Sequence, residues 1–88
     1  MVLKHLTSFQ IRAARALLRW SAEDLAQASA VGVTTIRRAE LMDSQTSMTA
    51  ANDLAVRRAL EDAGVEFIEE NGGGPGVRLN KRHRSKKH

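Results

Sequence analysis

An 88-residue chain with 42% apolar residues is one small domain with a thin core. It has no cysteine, which excludes a disulfide framework and thiolate metal sites, and its three histidines, His5, His83 and His88, are too scattered for a ligand cluster. The net charge of +4 is unevenly placed, because Lys81, Arg82, Arg84, Lys86 and Lys87 lie together at one end while residues 1–80 hold nine basic against ten acidic side chains.

Leu6-Thr7-Ser8-Phe9-Gln10-Ile11 opens the first predicted helix. Thr7 is a good N-cap, and Gln10, three residues on, completes a capping box. Leu6 and Ile11 flank the box as a hydrophobic staple. Ile11, Ala14, Leu17 and Leu18 then recur at helical spacing, so the helix is expected over 8–19. The same grammar repeats at once. Ser21 caps a second helix, Asp24 stands at the box position, and Trp20 and Leu25 form the staple, which makes Trp20 a core or hinge residue. Around Gly32, a third unit places Val31 and Ile36 as its staple. Three such devices in quick succession imply a compact helical cluster.

Residues 41–48 are polar and read as a loop. Thr49 caps a fourth helix, whose apolar side is marked by Leu54, Val56, Leu60 and Ala63 and which Gly64 stops. The character then changes. Val65-Glu66-Phe67-Ile68-Glu69 and Val77-Arg78-Leu79, separated by a glycine-rich turn, predict a β-hairpin over 65–80. A lone hairpin is marginal in water, so it must pack on the fourth helix or pair with a second chain. Residues 81–88 are expected to be a disordered basic tail. It contacts nucleic acid through counterion release, or it merely keeps the chain soluble.

No apolar run reaches the ~20 residues of a membrane span, and no signal-peptide stretch is visible, so a cytoplasmic protein is expected. The glycine run at 72–76 lacks the Lys-Ser/Thr ending of a phosphate loop. Glu66, Glu69 and Glu70 have no nearby histidine, and Ser21, Ser29, Ser44 and Ser47 have no credible base and acid. No enzyme, catalytic residue, metal or cofactor is expected.

Function points to residues 20–40. Leu25, Val31, Ile36 and Ala39 supply an apolar side, and small Ala26 lets two helices cross closely. Val33, Thr34, Arg37 and Arg38 remain on other faces. Two short helices joined by a tight turn, with cations left over on the second, is how a helix-turn-helix delivers a recognition helix to the major groove.

The segment resembles the helix-turn-helix of the Cro-like and XRE-type bacterial regulators, the group that includes the lambdoid phage repressors. Leu25-Ala26-Gln27-Ala28, Val31, Thr35-Ile36, Arg38 and Glu40 carry the likeness. It extends to Ile11-Arg12-Ala13-Ala14-Arg15-Ala16-Leu17-Leu18 and to the stretch from Ala63 through Asn71-Gly72-Gly73-Gly74-Pro75-Gly76 to Leu79, covering roughly residues 6–79. The resemblance implies a mainly α fold. It would be a compact bundle of four to five helices with a lambda-repressor-like DNA-binding domain over 1–80, here closed by the small C-terminal hairpin.

The resemblance further implies a transcriptional regulator, a repressor or autoregulator, bound to double-stranded DNA as a homodimer. Matched position by position, base edges would meet Val33, Thr34 and Arg38. Arg38 would read O6 and N7 of guanine, and Val33 a thymine methyl. Thr34 either reads a base or only starts the helix. Gly32, Arg37 and the tail, through Lys81, Arg82 and Arg84, would meet phosphates. Arg15 and Glu40 match a partly buried ion pair of the family. Val65, Phe67, Val77 and Leu79 are the expected dimer contacts. Two departures stand out. Ala30 occupies the turn position that usually holds glycine, with the flexible glycine moved to Gly32, which suggests a rearranged turn. Ala22 replaces a glutamine that contacts phosphate. The rival reading is a protein-interaction module on the same fold, such as an antitoxin or anti-activator.

Overall fold

A computed structural model describes residues 5–70 and 72–80. Among these the chain is mainly helical, with α1 (Ser8–Leu18), α2 (Ala22–Ser29), α3 (Val33–Leu41) and α4 (Ala50–Asp62), followed by the antiparallel hairpin β1 (Val65–Ile68) and β2 (Gly76–Leu79). No described helix is long and apolar enough to cross a membrane.

The helix starts follow from local side chains. Thr7 Oγ1 accepts from the Gln10 amide at 3.1 Å, and Gln10 Oε1 accepts from the Thr7 amide at 3.0 Å. Ser21 and Asp24 repeat this exchange at 3.0 and 2.9 Å, and Thr49 Oγ1 accepts from Asn52 N–H at 3.1 Å. Each such cap stabilises its helix by about 1 kcal/mol. At its other end α1 stops one residue earlier than the spacing implies. Arg19 turns left-handed (φ 59°), so that the Trp20 amide donates back to Arg15 O and the Arg19 amide to Ala16 O. Helix α4 ends at Asp62, and just beyond it Gly64 takes a φ of 112°, which suits glycine.

The core gathers between the four helices. Leu6, Leu25, Val56 and Leu60 are fully buried, with Ile11 and Ile36 nearly so. Burying a side chain of this size stabilises the fold by about 1.5–3 kcal/mol. The face of α4 differs from the sequence reading. Leu54 is exposed, while Asp53 and Arg57 are buried beside Val56 and Leu60. Helical geometry requires this, since Asp53, Val56, Arg57 and Leu60 follow i, i+3, i+4, i+7 and Leu54 falls off that stripe. The Asp53 carboxylate compensates its burial by accepting from Leu6 N–H at 2.9 Å. Leu41 also differs: it ends α3 rather than opening the loop. Within the following loop Met48 is buried as an apolar anchor, and Ser44 O accepts from Ser8 N–H at 2.7 Å, tying the loop to the start of α1.

The hairpin packs on its own chain. Val65 pairs with Leu79 and Phe67 with Val77, and Asn80 N–H closes the ladder on Gly64 O at 2.7 Å. Gln10 Nε2 of α1 donates to Gly76 O at 3.2 Å, and the Arg57 guanidinium of α4 lies 5.1 Å from the Phe67 ring. This packing corrects one expectation: Val65 is buried inside its own chain at 3% exposure, so it is not a free dimer contact. Phe67 and Val77 are half-buried against the same core. Of the four expected contacts, Leu79 alone is an exposed large apolar side chain.

Candidate nucleic-acid interface

The turn between α2 and α3 has no glycine at its tightest point. Ala30 adopts the left-handed conformation itself, at φ 62° and ψ 26°. The Gly32 backbone is ordinary (φ −58°, ψ 141°), and it serves as a cap without a side-chain bond. The expected rearrangement around Gly32 is therefore absent: the left-handed residue stays at position 30, and the alanine bears the strain, roughly 1 kcal/mol. Ser29 supports the turn from beneath. Its hydroxyl donates to Leu25 O at 2.7 Å and accepts from Val31 N–H at 3.2 Å, closing both ends of the turn with one buried side chain.

With Ile36, Ala39 and Glu40 buried, α3 presents its other side outward. Thr34, Arg37, Arg38 and Leu41 are all exposed and fall at i, i+3, i+4, i+7, one stripe along the helix. Leu41 is 85% exposed, the most exposed large apolar side chain described. The sequence reading missed it by ending the helix too early, although its spacing from Thr34 was the available signal. Val33 moves the other way. It is half-buried and packs against the core, so its methyls are partly committed to the fold. Gly32 is exposed at the helix start.

The two arginines of the stripe differ. Arg38 makes no hydrogen bond or ion pair among the described residues. Arg37 is bound to Glu23, in the first turn of α2. Glu23 was not anticipated as part of this surface. Its carboxyl is held below the usual carboxylate range, first by a hydrogen bond from its own backbone amide and then by the Arg37 charge.

The inner side of α3 is locked. Arg15 Nε and Nη2 reach Glu40 Oε2 and Oε1 at 2.7 and 2.8 Å, and Arg15 Nη1 donates to Trp20 O at 2.7 Å. Glu40 is buried, and the Arg15 pKa is raised, mainly by its hydrogen bonds to Glu40. One guanidinium thus joins α1, the approach to α2 and the end of α3. Trp20 itself is half-buried against the core, a packing residue rather than a stacking platform. The tail residues Lys81, Arg82 and Arg84 lie outside the described residues.

No protein-family model and no curated protein matches this chain.

Proposed function

We propose that this chain is a sequence-specific DNA-binding transcriptional regulator, a repressor or autoregulator, that inserts α3 into the major groove as a homodimer. The observation that carries the reading is the outward stripe Thr34, Arg37, Arg38 and Leu41, on a helix whose inner side is fixed by Arg15 and Glu40. A helix is about 10–12 Å across with its side chains, which fits a groove about 12 Å wide, and nine residues span roughly 14 Å, enough to reach several base edges.

Arg38, without a hydrogen-bond or ion-pair partner among the described residues, is suited to bidentate contact with O6 and N7 of guanine. Arg37 sits one helical position away, towards the start of α2, and serves a phosphate. Leu41 takes the part of apolar contact that the partly buried Val33 is less able to play. The Gly32 amide lies at the start of α3, where backbone phosphates are met. The basic tail adds sequence-independent affinity. Two half-sites about one DNA turn apart then require two copies, and Leu79 is the exposed apolar residue of the hairpin offered for their contact. Selection of bound duplexes from a random pool tests the reading: it predicts enrichment of one two-fold-symmetric motif.

One observation favours the rival, a protein-interaction module such as an antitoxin or anti-activator. Leu41 and the adjacent Met42 are both exposed, and residues 1–80 are slightly acidic. An apolar site beside a near-neutral body suits a protein partner. The same selection decides, since that module enriches no motif.

A further inference from the structure

Arg37 and Arg38 are neighbours on one stripe, yet among the described residues only Arg37 has an ion-pair partner. Its partner Glu23 lies 14 positions earlier, so the pair bridges the start of α2 and the outward side of α3. Both side chains are more than half exposed, at 55% for Arg37 and 62% for Glu23. An exposed pair of this kind is weak and is screened by salt.

The fold has little use for it. The start of α2 is already capped by Ser21 and Asp24, and the angle of α3 is already held by Arg15 and Glu40. What the pair does is cancel a cation on the candidate interface. A carboxylate and a phosphate offer a guanidinium the same kind of forked acceptor.

We infer that Glu23 stands in for a DNA phosphate. It holds Arg37 in the free protein and yields it to a backbone phosphate when α3 docks. The Glu23 charge therefore sets the affinity for duplex of any sequence, while Arg38 sets the choice among sequences. This inference rests on the DNA-binding reading of α3. It assigns Glu23 a role that neither its place in the first turn of α2 nor its exposure would suggest alone.

The test is a double-mutant cycle of Glu23→Gln and Arg37→Ala in the full chain. Binding to the selected operator and to a random duplex is measured across a salt series, with thermal melting as a control. Glu23→Gln should tighten both duplexes by about two- to fivefold at low salt, the scale of an exposed ion pair. The advantage should fade as salt is raised, because the screened Glu23–Arg37 pair then no longer competes with the phosphate. The ratio between operator and random duplex should stay constant. Arg37→Ala should cost more in the E23Q background than in the wild type. Equal affinity and slope for wild type and E23Q would overturn the inference while leaving the DNA reading intact. Weaker binding by E23Q would also overturn it, because Glu23 would then be positioning Arg37 rather than competing for it. A folded wild type that binds neither duplex removes the DNA reading, and this inference with it.

Discussion

Arg15 and Glu40 are joined by two parallel hydrogen bonds across 25 residues of sequence, and the third bond from Arg15 goes to the Trp20 carbonyl. The side chains are only 24% and 9% exposed, so the pair is shielded from solvent and from salt. Without Arg15 the Glu40 carboxylate is left buried and unpaired. Arg15→Ala should therefore destabilise the fold by about 3 kcal/mol, the lower end of the range for breaking a buried pair because Arg15 keeps some solvent contact. Chemical denaturation measures it. The joint replacement Arg15→Met with Glu40→Leu should recover most of the loss, since an apolar pair leaves no orphaned charge. Equal damage from the single and joint changes would show that packing, not charge, is what the pair supplies.

The α2–α3 turn has its two small residues in the less favourable order. Ala30 bears a left-handed backbone, whereas Gly32 stands at a cap where a hydroxyl would be useful. Ala30→Gly should stabilise the protein by about 1 kcal/mol through relief of strain. Gly32→Ser should add a few tenths of a kcal/mol or more by capping α3, with room available because an added Cβ would meet only Thr35 Oγ1 at 4.0 Å. Thermal melting reads both. A gain of about 1 kcal/mol corresponds to a rise of roughly 4–8 °C for a domain of this size. A drop in melting temperature for Ala30→Gly would contradict the strain argument.

The legible features are those whose causes lie within a few residues. Thr7 with Gln10, Ser21 with Asp24, and Thr49 declare helix starts because a cap bonds only three positions away. The hairpin was legible from its glycine-rich turn, and the Arg15–Glu40 pair from the family resemblance rather than from local chemistry. What escaped depends on how the helices cross. Asp53 looks like a surface residue until the Leu6 amide arrives from 47 positions away. Glu23 looks like an ordinary first-turn acid until α3 brings Arg37 beside it. Met48 is a lone apolar residue in a polar loop, with no periodicity to mark it as core.

The proposed dimer contact is testable without disturbing the core. Leu79 is 41% exposed, whereas Phe67 is stacked on Arg57 and Val65 is buried. Leu79→Asp should yield folded monomers in sedimentation and lower operator affinity, because one half-site is then bound at a time. Phe67→Asp, by contrast, should lower the melting temperature as well. A Leu79→Asp protein that stays dimeric would place the interface elsewhere.

The basic tail makes a separate electrostatic prediction. Removing residues 81–88 deletes Lys81, Arg82, Arg84, Lys86 and Lys87. The slope of log K against log salt should flatten by a few units, at about 0.9 for each phosphate released, while preference among sequences survives. A slope that does not move would leave the tail as a solubilising appendage.

Arg38 carries the central claim, because it is the exposed cation of α3 that has no ion pair among the described residues. The most direct measurement is the affinity of wild type and Arg38→Ala for the selected operator and for a random duplex at one fixed salt concentration. The account predicts a loss of about 1–3 kcal/mol on the operator, a much smaller loss on the random duplex, and unchanged melting. Equal losses on both duplexes, or none on either, would contradict base reading by α3.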